Sequence, residues 1–443
     1  MKRRNFIEAS AVSGAFLALN NNNIAEAAQI KPKNTALSAN EKLAGYSLKE
    51  LTDLYKYDLL DDCLPFYEKY LNDYEYGGFL CNTDRDGAHI STKKRTWFIG
   101  RGIWVNSYLY NEIEKNPKHL EIAQKSVDFL MKKNPLGKDF WPVEFTREGE
   151  PIGGPDKIFY GDMFVAEGLQ EFSKASGDPR LWNMAKEIMM KCIDIYDNQP
   201  DYANIEPKDN VPGVTRPRIL GHWFMLLNSS TQMLAKKRDA DIEKVAKRCI
   251  DAIMNHHYNP AYDLINEYTN HDMSHIQNVN GDVVVGHSPE TLWMVMAEAL
   301  RTKDKDLFNL TAERLRHHAE VLWDDVYGGF LLGLNDVEKN VWDITKAVWL
   351  HQEILIGTLC VIEHTGDEWA KEWFSKTFKY CREKFVLKQY GFPLWIAYAD
   401  RKVTFEKHYD RVENYHHPRH LMKNLLALER IKSRGGKTSG IFG

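Results

Sequence analysis

One repeating unit limits what this chain can fold into more than any other property. A turn or short hairpin leads into a helix, and a second helix follows. Tyr76-Gly77-Gly78-Phe79-Leu80 returns almost unchanged as Tyr327-Gly328-Gly329-Phe330-Leu331. Lys94-x-x-Trp97-x-x-x-Arg101, Lys157-x-x-Tyr160-x-x-x-Phe164 and Lys346-x-x-Trp349-x-x-x-Glu353 keep one register. A single lysine in that place reads as a solvated charge. Three make hairpin-then-helix the building block, and such self-similarity is the mark of a repeat architecture. Apolar spacing predicts helices over 48–71, 97–113, 120–131, 160–173, 181–195, 219–234 and 242–254, then from His287, and over 305–321, 347–363, 368–383 and 418–430. Hairpins are expected at 76–87, around 140–149 and from Tyr390 to Trp395, with a short strand at 262–268. Ser176-Gly177-Asp178 and Thr365-Gly366-Asp367 are helix stops, with glycine where the chain must turn left-handed.

Helix pairs of this kind each leave an apolar face uncovered, and closing them into a ring buries it. The expected class is therefore all-α, a closed ring of antiparallel pairs with short β-hairpins at one end. In such a ring the inner helices start at the hairpin end. Their first residues converge on one concave site.

Composition narrows the function. The chain has 443 residues, 43% of them hydrophobic, enough for a large core. Net charge is −4 with no long basic run, which argues against a nucleic-acid partner. Twelve Trp and 21 Tyr suit either sugar stacking or core packing. Six scattered cysteines form no zinc spacing and no disulfide framework. Residues 1–27 read as an export signal: Arg3-Arg4-x-Phe6-Ile7 resembles a twin-arginine start, with an ordinary Sec signal as the alternative, 11–19 is a short apolar run, and Ala25-Glu26-Ala27 a cleavage pattern. That implies a periplasmic protein. The run is too short to span a membrane. A linker is expected at 28–47, one barrel domain at 48–432, and a loose Gly/Ser/Lys tail at 433–443. The expected form is a monomer or homodimer.

Val285-Gly286-His287-Ser288-Pro289-Glu290 reads as a loop entering a helix, with Ser288 as N-cap, Pro289 opening the helix, and Glu290 close enough to orient His287. Tyr415-His416-His417-Pro418-Arg419 has the same logic. The hairpin-end positions together are Arg101, Tyr160, His287, Glu290, Trp349, Glu353, His416 and Arg419. Two histidines, a fixed cation and two carboxylates around aromatic walls suit proton abstraction beside a carbonyl. One imidazole takes the C2 proton of a sugar, Arg101 stabilises the enediolate oxygen, and the second imidazole returns a proton on the opposite face. Glu290 and Glu353 fix tautomers and local charge. This chemistry requires no metal and no cofactor.

At these residues the chain resembles the N-acylglucosamine 2-epimerase superfamily, which includes cellobiose 2-epimerases and related aldose–ketose isomerases. The resemblance runs from Arg101 and Trp104, through Lys157, Tyr160 and Phe164, then His287, Glu290 and Trp293, then Lys346, Trp349 and Glu353, to Tyr415, His416 and Arg419. It implies an (α/α)6 barrel, His287 and His416 as the acid/base pair, and Arg101 on the substrate oxygens. Tyr160, Trp349, Trp104, Trp293 and Arg419 are then expected to bind the sugar. The chain departs from the family at Ile99-Gly100, at Val348, and at Leu220-Gly221-His222-Trp223, where His222 is expected to enter the pocket. Two other readings fit the same residues. Glu290 and Glu353 could serve a glycoside hydrolase or lyase, or the aromatics could serve a non-catalytic glycan-binding protein.

Overall fold

The computed structural model describes residues 35–84, 86–132, 139–199, 217–276, 284–387, 394–395 and 414–442. The proposed export signal and residues 28–34 of the linker lie outside them, as do residues 390–393 of the last hairpin.

Among the described residues, twelve helical rods alternate between an outer and an inner ring. The outer ones are α1 (Leu48–Tyr57), α3 (Pro117–Met131), α5 (Pro179–Asn198), α7 (Ala240–Asp251), α9 (Lys305–Leu322) and α11 (Glu368–Lys384). The inner ones are α2 (Thr96–Tyr108), α4 (Tyr160–Ser176), α6 (Leu220–Lys236), α8 (His287–Thr302), α10 (Val348–Thr365) and α12 (His416–Ser433). The arrangement is an (α/α)6 barrel. Sequence separates the rings. In α7 only Ile242, Val245, Ala246 and Cys249 are buried, one stripe at helical spacing. In α2 every residue from Phe98 to Ser107 is buried, so no polar face remains. A helix covered all round belongs in the inner ring. Among the described residues, none is long and apolar enough to cross a membrane.

Several helices widen into π-helical turns, where bonds reach one residue further. α1 continues through Asp58–Cys63 and Tyr67–Leu71, and α2 through Leu109–Ile113. Short strands collect where inner helices begin. β1 (Lys94–Arg95) pairs with β2 (Pro142–Phe145), which pairs with β3 (Pro151–Pro155). β4 (Arg218–Ile219) pairs with β5 (Tyr268–Thr269), and β6 (Val284–Val285) with β7 (Gly333–Asp336).

The two glycine-pair repeats correct one expectation. Residues 76–87 form no stranded hairpin, only a tight turn tied by single bridges, Asn72 to Phe79 and Thr83 to His89. The copies use identical bonds. Asp73 accepts the Gly77 N–H on its carbonyl and the Glu75 and Tyr76 N–H groups on its carboxylate. Asp324 does the same with Gly328, Val326 and Tyr327. Each aspartate also holds the register lysine, Lys94 at 2.9 Å and Lys346 at 2.6 Å. These two lysines are buried pins of the turn, whereas Lys157 is exposed.

The C-terminal segment, loose by composition, lies against the barrel. The Gly436 carbonyl accepts from Ala36 and Leu37, Arg434 reaches Glu363 at 2.9 Å, and the Phe442 ring stands 5.0 Å from Phe308.

Candidate active site

Each inner helix brings a side chain to the hairpin end within its first two turns. Arg101 comes from α2, Tyr160 opens α4, His222 lies in the first turn of α6, His287 opens α8, Trp349 is second in α10, and His416 opens α12. Their contacts run in a circuit around the barrel axis. The Arg101 guanidinium lies 4.7 Å from the Tyr415 ring, Tyr415 5.6 Å from His416, and His416 5.5 Å from Trp349. Trp349 lies 5.7 Å from His287, and His287 5.3 Å from Phe224 in α6. His222, in the same helix, is 4.9 Å from Tyr160, which stacks on Trp97 at 5.6 Å. Trp97 returns to Arg101 at 4.7 Å. All six inner helices are visited, so the predicted convergence is met in space.

His287 is the more open imidazole, its side chain 35% exposed. Its Nδ1 stands 3.0 Å from Glu267 Oε1. An ionised carboxylate only accepts, so the ring nitrogen facing it carries the proton and Nε2 points away. Burial pushes the pKa down, but the Glu267 charge and hydrogen bond outweigh it and raise it to about 9. His287 therefore holds its proton at neutral pH. Two expectations fail here. Ser288 is not the cap: the helix begins at His287, and the Ser288 hydroxyl donates 3.0 Å to the buried Ile265 carbonyl. Glu290 does not orient His287, because its Oε1 is drawn to Arg419 at 2.6 Å.

His416 is 9% exposed at its side chain, with Nδ1 2.9 Å from Glu353 Oε1. Here the carboxylate is shared. Arg419 Nη2 lies 2.6 Å from Glu353 Oε1, 2.6 Å from Glu290 Oε1 and 3.1 Å from His416 Nδ1. The other Glu353 oxygen accepts from the Trp293 indole at 2.6 Å. Glu290, Glu353 and His416 have ligand atoms within 4.8 Å of one another, a spacing that suits a metal. Arg419 Nη2 sits among them at hydrogen-bond distance, so a fixed cation already fills that position and the donor set does not fit an ion.

Arg101 is 5% exposed and faces three rings, with Trp97 and Tyr415 at 4.7 Å and Phe164 at 4.1 Å. Below Tyr415 lies Glu167, fully buried. It accepts from the Tyr415 hydroxyl at 2.8 Å, Asn228 at 2.7 Å and Gln232 at 2.9 Å. Burial raises its pKa above the ordinary carboxylate range despite these bonds and the Arg419 charge.

The remaining expected residues form the layer beneath. Trp104 is 1% exposed; it stacks on Tyr108, meets Tyr415 edge-on, and donates to Gln232 at 2.7 Å. Trp293 holds Glu353. His222 is fully buried against Phe159, Tyr160 and Tyr196, and burial pushes its pKa to about 3. Two glycines make room for the walls. A Cβ on Gly221 would overlap the Tyr160 hydroxyl, and one on Gly286 would come 2.5 Å from the Trp349 ring. Sequence reading missed Glu267 and Glu167. For Glu167 the signal is a carboxylate inside an otherwise apolar run, Val165-Ala166-Glu167-Gly168-Leu169, and for Glu267 a carboxylate two residues after the apolar pair Leu264-Ile265.

Comparison with known proteins gives the family and the fold. A family model described as N-acylglucosamine 2-epimerase (GlcNAc 2-epimerase) matches residues 77–418. The N-acylglucosamine 2-epimerase of Bos taurus is 24% identical over 359 residues, spanning 77% of this chain and 82% of the bovine one. The cellobiose 2-epimerase of Dictyoglomus turgidum is 26% identical over 312 residues, 67% of this chain and 77% of its own. Among solved structures, cellobiose 2-epimerase from Bacillus thermoamylovorans has a TM-score of 0.72 at 16% identity, covering 85% of this chain and 99% of its own. A D-mannose isomerase has 0.69 at 12% identity, covering 85% and 97%. With the family model spanning most of its length, the chain belongs to the N-acylglucosamine 2-epimerase family of carbohydrate epimerases and isomerases.

Proposed function

We propose that this protein moves a proton at C2 of a free reducing sugar, through an enediolate, using His416 and His287. The observation that carries the reading is the pair of imidazoles on either side of Trp349, each with Nδ1 held by a carboxylate. His416 Nε2 takes the C2 proton from the ring-opened sugar. The C2–H electrons form the C1–C2 double bond, and the C1 carbonyl pair moves onto oxygen. The Arg101 charge offsets that oxygen's charge. His287, already protonated, supplies a proton to C2 from the other face, and C2 is inverted. Delivery to C1 instead, with the O2 hydroxyl proton passing to O1 as the C2 carbonyl forms, gives the ketose. The named relatives act on N-acylglucosamine and cellobiose, and a structural neighbour is a mannose isomerase. Their shared chemistry is a C1 carbonyl beside a C2–H, and that is the substrate class proposed here.

A hydrolase needs two carboxylates facing opposite sides of one bond. Glu290 and Glu353 instead converge on one nitrogen of Arg419. The test is NMR in D2O with candidate reducing sugars. Deuterium at C2 with the inverted epimer or a ketose supports the proposal. New reducing ends would indicate hydrolysis, and no change of any kind would leave sugar binding alone. We also propose that residues 1–27 direct export through the twin-arginine route. Replacing Arg3 and Arg4 by lysine is expected to hold the protein in the cytoplasm, and unchanged periplasmic yield would refute that.

A further inference from the structure

At the end of the barrel away from the hairpins, a cavity of about 160 Å3 lies among four inner helices. Tyr108 closes α2, and Leu300, His364 and Arg430 stand in the last turns of α8, α10 and α12. The walls are mostly apolar, from Trp293, Leu300, Ile356, Leu426 and Ala427. Lys423 also lines the cavity, half-buried, with its Nζ 4.9 Å from the Trp293 ring and 5.9 Å from the Tyr108 ring. Among the described residues this ammonium makes no hydrogen bond and no ion pair, and its nitrogen keeps accessible surface. Glu363, the carboxylate in the lining, is spent elsewhere: it accepts from Arg430 at 2.8 and 2.7 Å and from Arg434 at 2.9 Å. His364 is neutral, since burial pushes its pKa to about 4. Helix carbonyl ends disfavour an anion, but that effect fades within the last turn, and Lys423 lies more than two turns before the end of α12. Burial and the Arg419 charge hold the Lys423 pKa down to about 8, against the pull of Glu167 and Glu353.

We propose that this cavity is a second binding site, for a small monocarboxylate with an apolar body about the size of a benzene ring. The carboxylate pairs with the Lys423 ammonium, and the body lies against the apolar walls. An apolar cavity of roughly 150 Å3 holds benzene, so the volume fits. An ammonium taken out of water without a counter-charge is costly, and the ligand supplies that charge. The inference does not rest on the chemistry proposed at the hairpin end. Trp293 joins the two sites: its ring faces Lys423, and its indole N–H holds Glu353, the partner of His416.

The probe is sodium benzoate, followed by calorimetry on the full chain at about pH 8 in two buffers of different ionisation heat. Saturable binding is expected, with proton uptake as the pairing raises the Lys423 pKa. Lys423→Met deletes a charge that has no partner, so it is expected to fold and to weaken binding tenfold or more. Ala297→Phe, on the cavity wall, should abolish binding, and Ala297→Leu serves as the second filling variant should the first fail to fold. Benzamide, the same body without the charge, should bind at least tenfold more weakly. Arg101→Leu, at the other end of the barrel, should leave benzoate binding intact. Binding that survives Lys423→Met, that disappears in Arg101→Leu, or that benzamide equals would overturn the proposal. So would the absence of saturable binding.

Discussion

His287 and His416 are both first residues of inner helices, both face Trp349, and both rest Nδ1 on a glutamate. The difference is what else the glutamate holds. Among the described residues, Glu267 has His287 as its one hydrogen-bonded side chain, and it raises the His287 pKa. Glu353 is divided among His416, Trp293 and Arg419, and Arg419 stands 3.1 Å from the imidazole itself. A carboxylate beside a histidine favours the imidazolium, and a guanidinium beside it opposes that. One imidazole is thus loaded with a proton while the other sits next to a fixed cation. For a reaction that removes a proton on one face and returns one on the other, two imidazoles with differently charged neighbours suit different steps.

The largest expected effect comes from removing either ring. His287→Ala and His416→Ala should each lower turnover by about 10²–10⁴-fold, the usual contribution of a positioned acid or base. The comparison predicts more than loss. With the substrate whose C2–H faces His416, His287→Ala should still wash deuterium into C2 without inversion, while His416→Ala should do neither. Equal wash-in by both variants, measured by NMR, would break the assignment of faces.

Next is Arg419→Ala. It strands the Glu290 and Glu353 carboxylates, 4% and 0% exposed, without their cation. Breaking a buried pair from one side costs about 3–5 kcal/mol, so the denaturant midpoint should fall accordingly. Removing the guanidinium also vacates the centre of the Glu290, Glu353 and His416 cluster. Zinc should then restore part of the stability of the variant and none in the parent. A variant as stable as the parent would show that Arg419 does not set the difference between the two histidines.

Glu267→Gln probes the other side. The amide can still accept from Nδ1–H but carries no charge, so the His287 pKa should fall from about 9 toward its ordinary 6.5. The basic limb of kcat/KM should move down by up to ~2 pH units, with a loss of about tenfold or more at pH 8. Stability follows the same sign. Because the folded pKa is raised, the pairing stabilises fully below about 6.5 and its contribution disappears as pH rises through about 9. The variant should lack that slope in its thermal midpoint, and a retained slope would place its origin elsewhere.

Much of this arrangement is written locally. Hairpin-then-helix spacing, the Gly177 and Gly366 stops and the lysine register locate all twelve helices, because apolar periodicity and left-handed glycines act within a few residues. Ordering those helices into a ring then brings Arg101, Tyr160, His287, Trp349 and His416 together. Which carboxylate each histidine takes is not local. Glu290, three residues from His287, looks like its partner, yet Arg419, 129 residues away in sequence, claims it. Glu267 is 20 residues from His287 and stands next to β5, the strand that pairs with β4. Ser288 fails as a cap for a similar reason, since the buried Ile265 carbonyl competes for its hydroxyl.

Glu167 asks whether the inequality is confined to the two histidines or belongs to the whole floor. It lies under Tyr415, whose ring carries both Arg101 at 4.7 Å and Arg419 at 4.4 Å. Its raised pKa means the fold disfavours its ionised form. The sign follows: this group favours folding below the unfolded value of about 4.3, and its contribution is lost as pH rises through the higher folded value. Glu167→Gln removes the buried charge yet keeps an acceptor for Asn228 and Gln232. At pH 8 the variant should therefore be more stable by up to ~1 kcal/mol, the size of one net hydrogen-bond difference, and the gain should vanish near pH 4. Turnover should fall only a few-fold, through a less firmly held Tyr415, and the basic limb set by His287 should stay where it is. If that limb moves instead, the three carboxylates act as one charge reservoir, and the contrast between Glu267 and Glu353 is too small to assign the two faces.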